Sequence, residues 1–163
     1  AISAITVVND DNGFQDRRIS PQLAHVASYE GRLCVDNIIG GREIGVDYAC
    51  VPSCVFTDPE IASVGLTKEK VVAAGLNVGV SKAMYTANGK AHCAGHAEGF
   101  VKLVYCEDSK RILGGQIMGY GASELIGEVG LAVKHELTMD DIVVTIHAHP
   151  TIHELIFEAS SPH

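Results

Sequence analysis

Apolar positions early in the chain recur at near-helical spacing: Leu23, Val26, Ala27, Cys34 and Ile38. A polar, turn-rich run from Asn9 to Arg18 precedes them. Ser20-Pro21 then reads as an N-cap followed by a proline at the first helical position. Gly40-Gly41 stops the pattern, so one α-helix behind a polar loop is predicted, with Gly41–Asp47 as a boundary. From Ala49 onward the segments shorten. Cys50–Phe56 and Ile61–Leu66 read as strands around the turn Thr57-Asp58-Pro59-Glu60, and Leu76–Tyr85 reads as extended. Thr67 caps a short helix, Lys68–Ala74, closed by Gly75. Phe100–Cys106 and Ile112–Met118 form a predicted hairpin across Glu107–Lys110, because the connection is short and polar and its flanks are β-formers.

The remainder is helical. Leu125, Val129, Ala132 and Val133 share a face with Ile126 beside them, and Thr138-x-x-Asp141 carries the signature of a capping box. Strands followed by helices predict an α+β fold, an antiparallel sheet with helices packed on one side. Gly114-Gly115 sits inside the hairpin as a twist or close-packing point.

The chain has 163 residues, 47 % of them hydrophobic and 20 % charged, which is globular composition. Its net charge of −8 opposes binding to nucleic acid or to an anionic membrane surface. No apolar run reaches the roughly 18 residues of a bilayer span, and no signal peptide opens the chain, so the expectation is a cytoplasmic protein without a membrane partner. The five cysteines are an odd count without zinc-ligand spacing, and Cys50-x-x-x-Cys54 is not a redox C-x-x-C pair. They read as free, mostly buried thiols.

The densest polar cluster is His147-Ala148-His149-Pro150-Thr151-Ile152-His153-Glu154. A carboxylate five residues after a histidine can accept from one ring nitrogen and leave the other for proton transfer, so His149 and Glu154 are a candidate acid/base dyad. Pro150 is expected to hold His149 extended ahead of a helix starting near Thr151, with Glu154 one turn in. Two other readings stand beside it: three solvated histidines on a surface turn, or a metal site built from His147, His149 and His153. His92 and His96, flanking Cys93, read as a solvated pair on a loop. The loop at Asp10 and the helix start at Leu23-Ala24-His25 are a second candidate, because unpaired N–H groups and the positive end of a helix dipole favour an accepting ligand. No GxGxxG motif follows a strand, so a complete dinucleotide site is absent from the sequence.

Several blocks, in order, resemble dihydrolipoamide dehydrogenase of the pyridine nucleotide-disulfide oxidoreductase family: Leu23–Gly31 (LAHVASYEG), Val51–Thr67 (VPSCVFTDPEIASVGLT), Glu98–Lys102, Ile112–Gly115, Ala122–Ile126 and His147–Thr151 (HAHPT). The resemblance implies the C-terminal third of that enzyme: residues 1–48 as the tail of an FAD-binding domain, and residues 49–163 as the dimerisation (interface) domain. It implies FAD and NAD as cofactors of the full-length family, with none bound to this portion, together with a homodimer and a lipoyl-bearing protein as substrate. By position, His149 resembles the acid/base that takes a proton from the dihydrolipoamide thiol and serves the partner subunit's disulfide and flavin. Glu154 resembles the carboxylate that orients it. Asp10 resembles a ligand of the FAD ribityl chain, and Leu23, Ala24 and His25 the helix start facing the flavin. His153 stands where the family usually has a small residue and is expected either to compete for Glu154 or to perturb the pKa of His149. The isolated chain is expected to be inactive; a non-catalytic dimerisation module and a small His-rich metal-binding protein are the alternatives.

Overall fold

The computed structural model describes residues 21–161. They fall into two compact units that divide between Tyr48 and Ala49.

In the first unit, helix α1 runs Ala24–Gly40. It starts later than the Ser20-Pro21 signal predicts: Leu23 is extended, with φ −121° and ψ 140°, and its N–H is already given to the Pro21 carbonyl at 2.8 Å. The far end agrees with the sequence. Gly41, at φ 60°, adopts the left-handed conformation that suits glycine, and the next N–H, of Arg42, returns to the Asn37 carbonyl at 3.1 Å. The Asn37 side chain bonds both the N–H and the C=O of Ile44, and the Tyr48 hydroxyl donates to Glu30 at 2.7 Å.

The second unit is an antiparallel sheet of five strands: β1 (Ser53–Val55), β2 (Ile61–Gly65), β3 (Val78–Met84), β4 (Gly99–Cys106) and β5 (Ile112–Gly119), in the order β1-β2-β5-β4-β3. Five helices accompany it: α2 (Lys68–Ala73), α3 (Gly89–Ala94), α4 (Ala122–Lys134), α5 (Met139–Val143) and α6 (Glu154–Ser160). The hairpin of β4 and β5 forms where the sequence predicts it. β1 is shorter than predicted; it begins only after Pro52, a residue with no N–H to add to a ladder.

Alternation along the strands sends Ala62, Val64, Val101, Leu103 and Ile117 to one face, where they pack with Leu125, Ile126 and Val129 of α4 and Leu155 and Ile156 of α6. Burying a side chain such as Leu103 or Leu155 contributes ~1.5–3 kcal/mol, and these residues make a continuous layer beneath the C-terminal segment. α2 departs from the one-sided layering: its Val71 covers Val104 and Leu113 in a separate cluster. Gly114 and Gly115 are buried close-approach points. A Cβ on Gly114 would lie 2.3 Å from the Leu66 carbonyl oxygen, and one on Gly115 would lie 2.8 Å from Val129 Cγ1.

The N-terminus of α4 has glycine, Gly121, as its cap, so it lacks a capping side chain of its own. Glu60, in the turn before β2, supplies the acceptor: its Oε2 takes the Ser123 N–H at 2.9 Å while its carbonyl takes the N–H of Gly119. The predicted capping box is present on α5. Thr138 N–H donates to Asp141 Oδ2 at 2.7 Å and Asp141 N–H donates to Thr138 Oγ1 at 3.2 Å.

Candidate active site

Between α5 and α6 the chain crosses the edge of the helical layer as a short strap, residues 144–153. His149 lies on it with its side chain 82 % exposed, and its Nδ1 is 2.8 Å from Glu154 Oε1. The other Glu154 oxygen accepts the Thr151 N–H at 2.9 Å. These bonds hold the Glu154 carboxyl below the usual carboxylate range, the Thr151 N–H contributing most and the His149 ring next. A carboxylate at Nδ1 makes that nitrogen the donor, and Nε2 is then left as a lone-pair base. Among the described residues no hydrogen bond to Nε2 is present.

Two details differ from the sequence expectation. α6 begins at Glu154 itself, not near Thr151. Thr151 makes half a capping box, its N–H on the carboxylate three residues ahead while its hydroxyl turns back to the Ala148 carbonyl at 2.7 Å, so the intervening residues form a turn instead of helix. The His149–Pro150 peptide bond is cis.

His147 is not solvated. Its side chain is only 8 % exposed; Nδ1 lies 2.9 Å from the Thr145 carbonyl, Nε2 lies 2.8 Å from Glu128 Oε1 on α4, and the ring sits against Phe157. His153 does not compete for Glu154, because its Nε2 faces the other Glu128 oxygen, at 3.9 Å. The three histidines of the proposed metal set therefore answer to two different carboxylates, and among the described residues no group of three or more His, Cys, Asp or Glu is arranged to hold a metal ion. A cavity of about 400 Å³ opens beside the strap, lined by Glu128, Leu131, Ile142, His147 and Thr151.

The other candidates lie elsewhere. Leu23, Ala24 and His25 are at the start of α1, in the first unit, and Leu23 makes no side-chain cap bond there. Asp10 lies outside the described residues. The expected solvated loop pair is met only in part: His92 is exposed but helical, and His96 is on a loop but half-buried. His92 is in helix α3, which the Asn88 side chain caps, and its Nε2 donates to the Thr86 carbonyl at 2.8 Å; His96 stacks on Tyr120 with centroids 4.7 Å apart. The described cysteines are free thiols: Cys93 is exposed and the other four are half-buried.

Sequence reasoning missed three residues that support the site. Thr151-x-x-Glu154 is a capping-box spacing and was legible in principle. Glu128 and Asn88 were not, since they meet His147 and Thr151 from 19 and 63 residues away. Asn88 is 3 % exposed; its Nδ2 donates to the Thr151 carbonyl at 3.0 Å and its Oδ1 accepts the Ala91 N–H at 2.9 Å.

Comparison with known proteins agrees with this architecture. Residues 51–160 match the family described as pyridine nucleotide-disulphide oxidoreductase, dimerisation domain. The chain is 45 % identical over 140 residues to a dihydrolipoyl dehydrogenase of Halobacterium salinarum, and 44 % identical over 138 residues to that of Chlorobaculum parvum. These alignments cover 86 % and 85 % of the chain but only 29 % of either relative, so the chain spans under a third of their length. Among solved structures it is similar to LpdA from Mycobacterium tuberculosis, with TM-score 0.79 and 28 % identity over 85 % of the chain and 30 % of that structure. The fold is also that of the HOCl-induced flavoprotein disulfide reductase RclA from Escherichia coli, with TM-score 0.80 at 22 % identity over 85 % of the chain and 32 % of that structure. The α+β sheet-and-helix unit carrying His149 is thus a member of the pyridine nucleotide-disulphide oxidoreductase dimerisation-domain family, the family to which this chain belongs.

Proposed function

We propose that the chain supplies the acid/base histidine and the self-association surface of a dihydrolipoamide dehydrogenase, an FAD-dependent enzyme that oxidises dihydrolipoamide with NAD. The observation that carries this reading is the 2.8 Å bond between His149 Nδ1 and Glu154 on an exposed ring, in a chain whose relatives are dihydrolipoyl dehydrogenases.

The chemistry suits the group. A free thiol has a pKa near ~8.5 and is a poor nucleophile at neutral pH until it loses its proton. His149 Nε2 takes the proton of one dihydrolipoamide thiol; the thiolate attacks a disulfide sulfur, one S–S bond forms as another breaks, and the second thiol closes lipoamide in the same manner. Glu154 keeps the Nδ1 proton in place and stabilises the imidazolium that proton transfer creates. The attacked disulfide belongs to the family's redox pair, for which this chain's cysteines have no C-x-x-x-x-C spacing. Residues 1–48 are read as the tail of an FAD-binding domain and residues 49–163 as the dimerisation domain. At the start of α1, where the positive end of the helix dipole favours an accepting group, Leu23, Ala24 and His25 would face the flavin edge, with Asp10 toward the ribityl chain. A flavin held there would supply the electron transfer between the reduced sulfurs and the nicotinamide. Alone, the chain dimerises but binds no cofactor and has no turnover.

A chimera tests the reading. Residues 49–163 replace the matching segment of the Geobacillus stearothermophilus dihydrolipoyl dehydrogenase, to which the chain is 44 % identical over 140 residues. The chimera is expected to reduce NAD with dihydrolipoamide, and His149→Gln to lower its turnover ~10²–10⁴-fold. An active chimera indifferent to that substitution overturns the role of His149 and leaves a dimerisation module.

A further inference from the structure

Two histidines, two residues apart, each meet a glutamate at 2.8 Å, yet one ring is 8 % exposed and the other 82 %. We propose that the inner pair, His147–Glu128, is a positioning device that pins the strap and so aims His149; the inference rests on the acid/base reading of His149.

His149 has one nitrogen engaged and one open, whereas both nitrogens of His147 are taken, by the Thr145 carbonyl and by Glu128. No atom of the His147 ring remains to exchange a proton with a substrate, so its contribution is mechanical. Its anchor is firm. Glu128 lies on α4 between Leu125, Ile126 and Val129, all buried in the core, and Thr145 is itself tied to α5 by its hydroxyl on the Asp141 carbonyl at 2.8 Å. Downstream, Asn88 grips the Thr151 carbonyl. The segment 148–150 is exposed, but it hangs between two fixed points, one on α4 and α5 and one ahead of α3. An exposed turn without such points has backbone freedom to lose each time its base must be aligned. Misplacement of a reacting group by about an ångström lowers rates about 10²-fold.

Imidazole spectroscopy of the 163-residue chain decides the matter, with two-bond 15N–1H correlations reporting the His149 tautomer. In the unsubstituted chain the Nδ1–H form is expected to dominate. His147→Ala is expected to lower that preference at least threefold and to broaden the amide signals of Ala148, His149 and Thr151, while the methyl signals of Leu103 and Leu125 stay in place. His147→Gln, which keeps an N–H₂ near the position of Nε2, restores at least half of the effect. Glu128→Gln, isosteric and gentler on the fold, is expected to act in the same direction and serves if His147→Ala does not fold. An unchanged His149 tautomer ratio and unchanged amide signals in the folded variants overturn the proposal. A missing Nδ1–H preference in the unsubstituted chain would instead sink the dyad, with the strap's amide signals still testing the pin.

Discussion

Glu154 binds His149 and Thr151 at once, one carboxylate oxygen 2.8 Å from the ring nitrogen and the other 2.9 Å from the backbone N–H. The residue that holds the His149 ring therefore also starts α6. Glu154→Gln, which keeps the shape and removes the charge, is expected to leave α6 formed but to lower dihydrolipoamide turnover of the chimera at least ~10²-fold. Circular dichroism and steady-state rates on the same sample check both halves; unaltered turnover with intact helix refutes the orienting role.

Acid should loosen the fold in a defined window. Glu154 and Asp141 are held below their ordinary values chiefly by the backbone N–H groups of Thr151 and Thr138, and Glu107 by Lys110. Carboxyls depressed in the folded state contribute stability that is complete above the unfolded values of ~3.9–4.3 and is lost as pH falls through the lower folded values. The urea midpoint is thus expected to be flat from pH 7 to 5 as far as these groups are concerned, and to drop below about 4. Cys54 and Tyr85 run the other way, raised first by burial and then by Glu60. Their contribution is complete below the ordinary thiol value of ~8.5 and is lost as pH rises through the unfolded and then the folded values.

At Gly114 and Gly115, the penalties of an added methyl should differ in kind. The first meets backbone, the Leu66 carbonyl; the second meets chiefly the Val129 side chain, Cγ1 at 2.8 Å, with Leu103 Cδ2 and the Lys102 carbonyl oxygen farther off at 3.3 Å. Gly114→Ala is expected to cost ~3 kcal/mol or more, and Gly115→Ala ~1–3 kcal/mol. Val129→Ala combined with Gly115→Ala should recover part of that cost. A double-mutant cycle by chemical denaturation measures the coupling, and strict additivity would show that the side-chain clash is not its source.

Asn88→Ala removes a buried group that satisfies both Ala91 and Thr151. A loss of ~1–3 kcal/mol is expected, with amide exchange accelerated at Ala91. Asn88→Asp, which retains the acceptor but not the donor, should protect Ala91 while leaving the Thr151 carbonyl unserved.

The proposed dimer is testable without any cofactor. Sedimentation of the 17.3 kDa chain at micromolar concentration is expected to show a species of twice that mass, and a monomer alone contradicts the self-association reading.

Local rules made much of this molecule legible. The β4–β5 hairpin follows from a four-residue polar turn, the α5 cap from Thr138 and Asp141, and the His149–Glu154 contact from a separation of five residues. What escaped depends on chain crossings. Glu60 reaches Ser123 and Asn88 reaches Thr151 across 63 residues, and His147 reaches Glu128 across 19. Nothing near those residues in sequence announces the partner. The late start of α1 and the one-turn delay of α6 share another cause. Backbone N–H groups at Leu23 and Thr151 were claimed by a nearby carbonyl and a carboxylate, a competition that periodicity does not register.

β1 closes its side of the sheet with three residues behind Pro52. A foreign strand seeking to extend the ladder there finds almost nothing to zip onto, and β3 on the opposite margin carries Lys82 at its middle. Fibril-like stacking is thereby discouraged at both rims.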